Sequence, residues 1–349
     1  MGLSRRLCAV CIVMAVAVTS AACSNSSSPQ ASGTSPQSSA PTNSSAQSST
    51  DSPASAPSSV NSPMGASTQP STATPPTSTA SATVSVVAGE NFWGDIIGQI
   101  GGSHVDVTSI ISDPETDPHE YESDAKDAAA IADAGFVLEN GIGYDDFIDQ
   151  LLQASPSTHR DVLSVATILG VTGDDPNPHI WYDTADLPKV ADAIAKELSA
   201  LDPADAATFT ANASTFDASL QPIDQVIATI KSKYAGTKIA YTERVPGYLV
   251  DAAGLVLGVP ASFTQAVEDG TDPSPADTAA FDNAIKTKTV KVLLYNGQVT
   301  DDQTTQIKKL ATDSGVPIVG VTETLPPTDK NFQAWQLRQA QEILSALGG

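Results

Sequence analysis

The sequence predicts an α/β fold in two lobes, each with a mainly parallel sheet flanked by helices, and a long helix linking them. Apolar runs of strand length alternate with amphipathic helical stretches, the pattern of parallel sheets covered by helices, and this series occurs twice without any short internal repeat. Between the two series lies one helical stretch long enough to join both. The three cysteines, Cys8, Cys11 and Cys23, all fall near the N-terminus, so the fold is expected to stand without disulfides or thiolate ligands, as a domain of this length can.

Taken in order, 83–88 (TVSVVA) reads as the first strand and 92–100 as a short helix. A strand over 105–111, a helix over 124–134, a strand over 136–139, a helix over 145–154 and a strand over 161–165 complete the first half. Residues 187–201 form a helix, with Ala191, Ile194, Ala195 and Leu198 recurring on one face. Asp202-Pro203 then opens the linking helix, expected to reach Tyr234, and Pro222 inside it is expected to kink or divide it. The second half repeats the alternation. Strands are expected over 238–241, 255–259, 290–295 and 317–321, with helices over 246–253, 277–286, 304–313 and 330–347. The Gly-, Asp- and Pro-rich stretch before 277 reads as a loop.

The N-terminal part has a different composition. Arg5 and Arg6, an apolar run over 7–18 and the small residues Thr19-Ser20-Ala21-Ala22 before Cys23 make a secretory signal over 1–23, too short for a spanning helix. Its end resembles a bacterial lipobox with Cys23 as the lipidated residue, although Ser20 stands where an aliphatic residue is usual. Residues 24–82 are rich in Ser, Thr, Pro, Ala, Gln and Asn, with Asp51 as their one charge, and read as a disordered tether with a reach of about 40 to 45 Å. The boundaries expected from these readings are an N-terminal lobe over 83–202, a linking helix over 203–234 and a C-terminal lobe over 235–349. The formal net charge of -23 argues against nucleic acid as a partner and suits the attraction of cations, though an acidic surface also serves solubility.

Two short runs carry the chemistry. Asp117-Pro118-His119-Glu120-Tyr121-Glu122 and Asn177-Pro178-His179-Ile180-Trp181-Tyr182-Asp183 each place a histidine behind a proline, whose ring stiffens the loop. Open parallel sheets place ligands at the carboxyl ends of their strands. Both histidines lie in loops that follow strands, and Glu243 and Glu323 come directly after strands of the second half. Two imidazoles and two carboxylates can therefore converge across one cleft, as a site for six-coordinate Mn(II) or tetrahedral Zn(II). Asp117, Glu120, Glu122 and Asp183 are candidates to orient the imidazoles or to cap loops. Trp181 and Tyr121 are candidates to pack around the site. His104 and His159 are assigned to the surface without a ligand role.

These two runs, together with Thr242-Glu243 followed by Gly247-Tyr248, and Val321-Thr322-Glu323-Thr324, resemble the cluster A-I substrate-binding proteins of metal ABC importers. The likeness extends over essentially all of 83–349. It implies two α/β lobes on a rigid helix with one metal ion in the cleft between them, held by His119, His179, Glu243 and Glu323. Glu243 stands at the position that is histidine in typical zinc members and glutamate in manganese members. Glu323 stands where aspartate is usual. A His-rich insertion common in zinc members is missing, so the resemblance favours Mn2+ over Zn2+, with iron(II) third, although the Irving-Williams order favours zinc.

The function expected is a monomeric, lipid-anchored extracytoplasmic binding protein. It would capture Mn2+ or Zn2+ as a transported ligand, without a catalytic cofactor, and deliver it to an ABC permease driven by a cytoplasmic ATPase. Two other classes use similar residues: an adhesion or interaction lipoprotein with a structural metal, and a mononuclear metal hydrolase. The hydrolase would need an open coordination position and a placed base, and no His-Glu-x-x-His motif is present.

Overall fold

The structure, a computed structural model, describes residues 83–349 other than residue 115. The secretory signal over 1–23 with its lipidated Cys23, and the tether over 24–82, lie outside the described residues.

The first lobe is a sheet of β1 (Val84–Glu90), β2 (Val105–Ile111), β3 (Phe136–Glu139) and β4 (Asp161–Ser164) in the order β2-β1-β3-β4. The second is a sheet of β5 (Lys238–Tyr241), β6 (Val256–Leu257), β7 (Leu293–Asn296) and β8 (Ile318–Val321) in the order β6-β5-β7-β8. Each pairing in both sheets is parallel, with Val86 opposite Val107 and Phe136 in the first, and Ala240 opposite Leu293 in the second. The two lobes thus share one topology, which the alternation of apolar runs predicts. In each, the winding reverses between the first and third strands, the crevice where such sheets bind ligands.

Helices α1 (Asn91–Gly101), α2 (Ala125–Asp133) and α3 (Asp146–Ala154) connect the first strands. Asp124 starts α2 by accepting from the backbone N–H groups of Lys126 and Asp127, and Asp127 reciprocates in a capping box. Where the sequence predicts the end of a strand and a loop, a short helix, α4 (Val165–Leu169), follows β4 and ends at Gly170 with a left-handed φ of 67°. Helix α5 (Leu187–Leu201) precedes the linking helix α6 (Ala206–Tyr234). Residues 203–205 form a turn, so Pro203 lies before α6 and not in its first turn.

Pro222 does not divide α6, which runs as one helix of 29 residues. Proline removes a donor from the carbonyl four residues earlier, that of Ala218. Pro222 and Ala218 are both exposed, so water has access to the freed carbonyl, and the buried residues Phe216, Leu220 and Ile223 hold the opposite face.

In the second lobe, α7 (Gly247–Ala252), α8 (Ala261–Glu268), α9 (Pro275–Lys286), α10 (Asp302–Ser314) and α11 (Phe332–Ala346) complete the chain. The stretch read as a loop contains α8. Its buried face is Phe263 and Val267, four apart, which meet Phe281 and Ile285 of α9 in the core of this lobe. The Gly, Asp and Pro residues lie beyond it, over 269–275.

The largest core belongs to neither lobe alone. It joins Phe92, Trp93, Trp181, Phe209, Phe216, Leu249, Phe332 and Trp335, drawn from both lobes and the linking helix. Trp181 stacks on Phe92 with centroids 4.3 Å apart. This shared core fixes the strand ends of the two lobes against one another and holds the crevice between them. Among the described residues no helix is long and apolar enough to cross a membrane.

Candidate metal centre

His119 sits on a single 3-10 turn, Pro118–Glu120, in the loop after β2. Pro118 supplies the preset φ of the first position, and the Asp117 carboxylate accepts from the His119 N–H at 2.9 Å. Asp117 therefore sets the backbone that carries the imidazole. The ring packs edge-on to Tyr144 and to His179, at 5.1 and 5.5 Å between centroids.

His179 is fully buried and its tautomer is set by Asn177. Asn177 Nδ2 donates to the Arg244 carbonyl at 2.9 Å, so its other amide atom must be the oxygen. That oxygen, Oδ1, lies 2.7 Å from His179 Nδ1 and also accepts from the His179 N–H. Nδ1 accordingly carries the proton, and Nε2 presents its lone pair to the cleft. The room for Asn177 comes from Gly247 at the start of α7: a Cβ there would lie 2.7 Å from Asn177 Nδ2.

The carboxylates come from the second lobe. Glu243 follows β5, Glu323 follows β8, and both are buried. One residue, Asn296 at the end of β7, binds the two of them: Nδ2 donates to Glu243 Oε2 at 2.5 Å and to Glu323 Oε1 at 2.7 Å. The other Glu323 oxygen, Oε2, accepts from the Tyr144 hydroxyl at 2.9 Å. It also faces His119 Nε2 at 3.2 Å and His179 Nε2 at 3.4 Å. Gln298 Oε1 accepts from the Glu323 and Thr324 N–H groups and so fixes the backbone of that loop.

The structure thus brings His119, His179 and Glu323 together, with one ligating atom of each within 4.8 Å of the others. Glu243 is outside that triad and is tied to it through Asn296. Three buried donor atoms, His119 Nε2, His179 Nε2 and Glu243 Oε1, have no hydrogen-bond partner among the described residues. Polar atoms buried without partners are costly, and here the two imidazole nitrogens face one carboxylate. Two imidazole nitrogens and two carboxylates are a donor set for a divalent transition ion.

The charges of these side chains depend on one another. Burial pushes the Glu323 carboxyl up, but the two imidazoles that face it, His119 above all, outweigh burial and hold it well below the carboxylate range. Burial pushes His119 down, yet Glu323 more than offsets this and raises it to about 9. Burial and the Glu323 charge push Glu243 well above its ordinary value. Negative charge is thus favoured on Glu323 and a proton on His119, while the Glu243 carboxyl is pushed towards its neutral form. A metal ion would have to displace such protons.

Of the other predicted residues, Glu120 and Glu122 are exposed, and Glu120 lines a cavity of about 600 Å³ that reaches Asp117, His119, Glu243, Glu268 and Asp301. Asp183 closes the 3-10 turn Ile180–Tyr182, accepting no proton from either imidazole. Trp181 packs against the His179 ring at 5.3 Å, whereas Tyr121 packs on Phe147 and donates to Asp127. His159 is exposed, and His104 pairs with Asp205. Asn296, Tyr144, Gln298 and Asn177 are parts of the site that the sequence alone does not single out. A signal for Asn296 existed: β3 and β7 both run into Asn-Gly, and Asn140 in the first lobe likewise binds a site loop, donating to the Pro178 carbonyl at 2.9 Å.

A family model described as ZnuA, zinc-uptake complex component A, periplasmic, matches residues 86–346. The manganese-binding lipoprotein MntA of Halalkalibacterium halodurans is 28% identical over 132 residues, covering 37% of this chain and 43% of that protein. The match therefore spans less than half of that relative's length. Among solved structures, the periplasmic zinc binding protein TroA from Treponema pallidum is 16% identical with a TM-score of 0.66, covering 77% of this chain and all of that one. The binding protein FpvC from Pseudomonas aeruginosa, in complex with Mn2+, is 21% identical with a TM-score of 0.63, covering 76% of this chain and 98% of that one. At these identities the two structures speak for the fold.

Proposed function

The chain belongs to the family of the periplasmic zinc-uptake complex component A, and on that premise we propose that it is an extracytoplasmic binding protein for a divalent transition metal. It captures the ion between its lobes, with His119, His179, Glu243 and Glu323 as ligands, and delivers it to an ABC permease driven by a cytoplasmic ATPase. The observation that carries this reading is the set of unpartnered buried donors around Glu323. The metal is cargo, so the protein's task is to bind, enclose and release it.

The residues supply that cycle as follows. Carboxylates around the mouth, among them Asp117, Glu120, Glu268 and Asp301, raise the local concentration of cations. Asn177 holds the His179 lone pair towards the ion, and Asn296 holds the two carboxylates. Arg244, next to Glu243, spans the lobes by pairing with Asp175 at 3.2 Å and Glu268 at 2.7 Å. With the aromatic core shared by both lobes, this supports small relative movements on release and argues against a wide hinge.

Manganese is the favoured cargo over zinc. The donor set has as many carboxylates as imidazoles, and the MntA relative is named for manganese. Attachment to the membrane through Cys23, the division into lobes at 83–202 and 235–349 around a linker at 203–234, a monomeric state and the absence of catalysis belong to the same proposal.

Competition calorimetry with Mn(II) and Zn(II) on wild type, His179→Ala and Glu243→Ala tests it. Each variant should lose most of its affinity for the cleft ion. Unchanged affinity in Glu243→Ala would remove that residue from the site, and unchanged affinity in His179→Ala would sink the reading. Chelation should strip the metal from a domain that stays folded; unfolding on chelation would point to a structural ion.

A further inference from the structure

We propose that His104, Asp202 and Asp205 form a second divalent-cation site, apart from the cleft. His104 ends the turn Gly102–His104 after α1, while Asp202 and Asp205 lie on the turn between α5 and α6. One ligating atom from each of the three lies within 4.8 Å of the others.

A plain ion pair accounts for only part of this cluster. His104 Nδ1 is 3.0 Å from Asp205 Oδ2, and both side chains are about a quarter exposed, at 27% and 26%. Asp202 is different. It is 9% exposed, and its Oδ2 is buried with no hydrogen-bond partner among the described residues. One imidazole already paired with Asp205 leaves Asp202 Oδ2 without a partner, which is costly in a buried position. A divalent ion would satisfy both carboxylates and take the imidazole lone pair. One nitrogen and two carboxylate oxygens suit a borderline ion such as Mn(II) or Zn(II), with water completing its shell.

The donors are held on a rigid junction. The His104 ring stands edge-on to buried Phe209 of α6, and Asn212 of α6 donates to the Ile100 carbonyl at the end of α1. An ion bound there ties the start of the linking helix to the first lobe. It contributes to stability and takes no part in enclosing the cargo.

The test counts Zn(II) and Mn(II) bound to chelator-stripped full-length protein by equilibrium dialysis with metal analysis. Wild type should bind two equivalents and His179→Ala one. In the His179→Ala background, adding Asp202→Asn or His104→Gln should weaken the remaining ion by about a hundredfold or more, above the range seen for loss of an outer partner. Metal should raise the thermal midpoint of His179→Ala and leave that of either double variant unmoved. His104→Gln, at a partly exposed position, carries the test if Asp202→Asn folds poorly. An ion lost with Asp202→Asn but kept in His179→Ala supports this site even if the cleft fails to bind. No ion in His179→Ala, or one indifferent to both second substitutions, overturns the proposal.

Discussion

Asn296→Ala removes one amide that organises two buried carboxylates. Its Nδ2 lies 2.5 Å from Glu243 Oε2 and 2.7 Å from Glu323 Oε1. Glu323 is ionised across the neutral range because the two imidazoles hold it below ordinary carboxylates against the push of burial. Its bond from Asn296 is therefore charge-assisted, worth about 1.5–3 kcal/mol, while the bond to Glu243, whose carboxyl is pushed up by burial and the Glu323 charge, counts as an ordinary one of about 0.5–1.5 kcal/mol. The metal-free variant should accordingly lose about 2 to 4.5 kcal/mol of stability. In the loaded protein both carboxylates lose the group that orients them, which weakens metal binding by about ten- to a hundredfold, or roughly 1.4–2.7 kcal/mol. Urea unfolding in chelator gives the first number, and calorimetric titration with Mn(II) gives the second. A variant within about 0.5 kcal/mol of wild type in stability and unchanged in affinity would refute the role assigned to Asn296.

Gly247→Ala should weaken metal binding about tenfold, because the new Cβ would lie 2.7 Å from Asn177 Nδ2 and dislodge the residue that holds the His179 ring. Calorimetry on this variant reads the effect directly, and wild-type affinity would mean that Asn177 does not set the ring. Arg244→Ala strands Glu268, whose side chain is 4% exposed, and should cost about 3 kcal/mol in urea unfolding while speeding metal release in stopped-flow chelation. Unaltered release would remove Arg244 from the closure between lobes.

The metal-free protein should become less stable as pH rises through the neutral range. Burial raises Asp145 to about 6, and burial followed by repulsion from Asp145 raises Glu139 to about 7. A carboxyl raised in the fold stabilises at low pH and loses that contribution as pH rises through its folded value. For His119, at about 9, the contribution is complete below about 6.5 and is lost as pH climbs through 9. Glu323 adds no slope in this window, being ionised throughout. Urea midpoints in chelator should therefore fall steadily from pH 5 to pH 9, and a midpoint that rises over that interval would contradict these assignments.

Some of this was open to reading in the chain and some was not. The alternation of strand and helix needs only local periodicity, and it located the strands within a few residues. Helix α8 was overlooked because the Gly, Asp and Pro residues after it dominated the reading, although Phe263 and Val267 carried a helical spacing. Pro222 was expected to kink or divide α6 because proline removes a helical donor, and the helix is not divided. The exposure that lets water serve the freed carbonyl is a property of the packed helix.

The sequence by itself determined the alternating α/β series, the two Pro-His loops and the acids that follow β5 and β8, because each depends on residues adjacent along the chain. Only the tertiary structure decided which atoms meet. Tyr144, 179 positions before Glu323, donates to it, and one Asn296 amide joins Glu243 to Glu323. Asn177 selects the His179 tautomer only because Arg244 of the other lobe orients its amide. His104, unremarkable in sequence, meets Asp202 and Asp205 about a hundred positions away once α1 packs on α6. Burial turns these encounters into chemistry, since a carboxylate or imidazole without a partner acquires its charge preference from a low-dielectric neighbourhood that no local stretch of sequence contains.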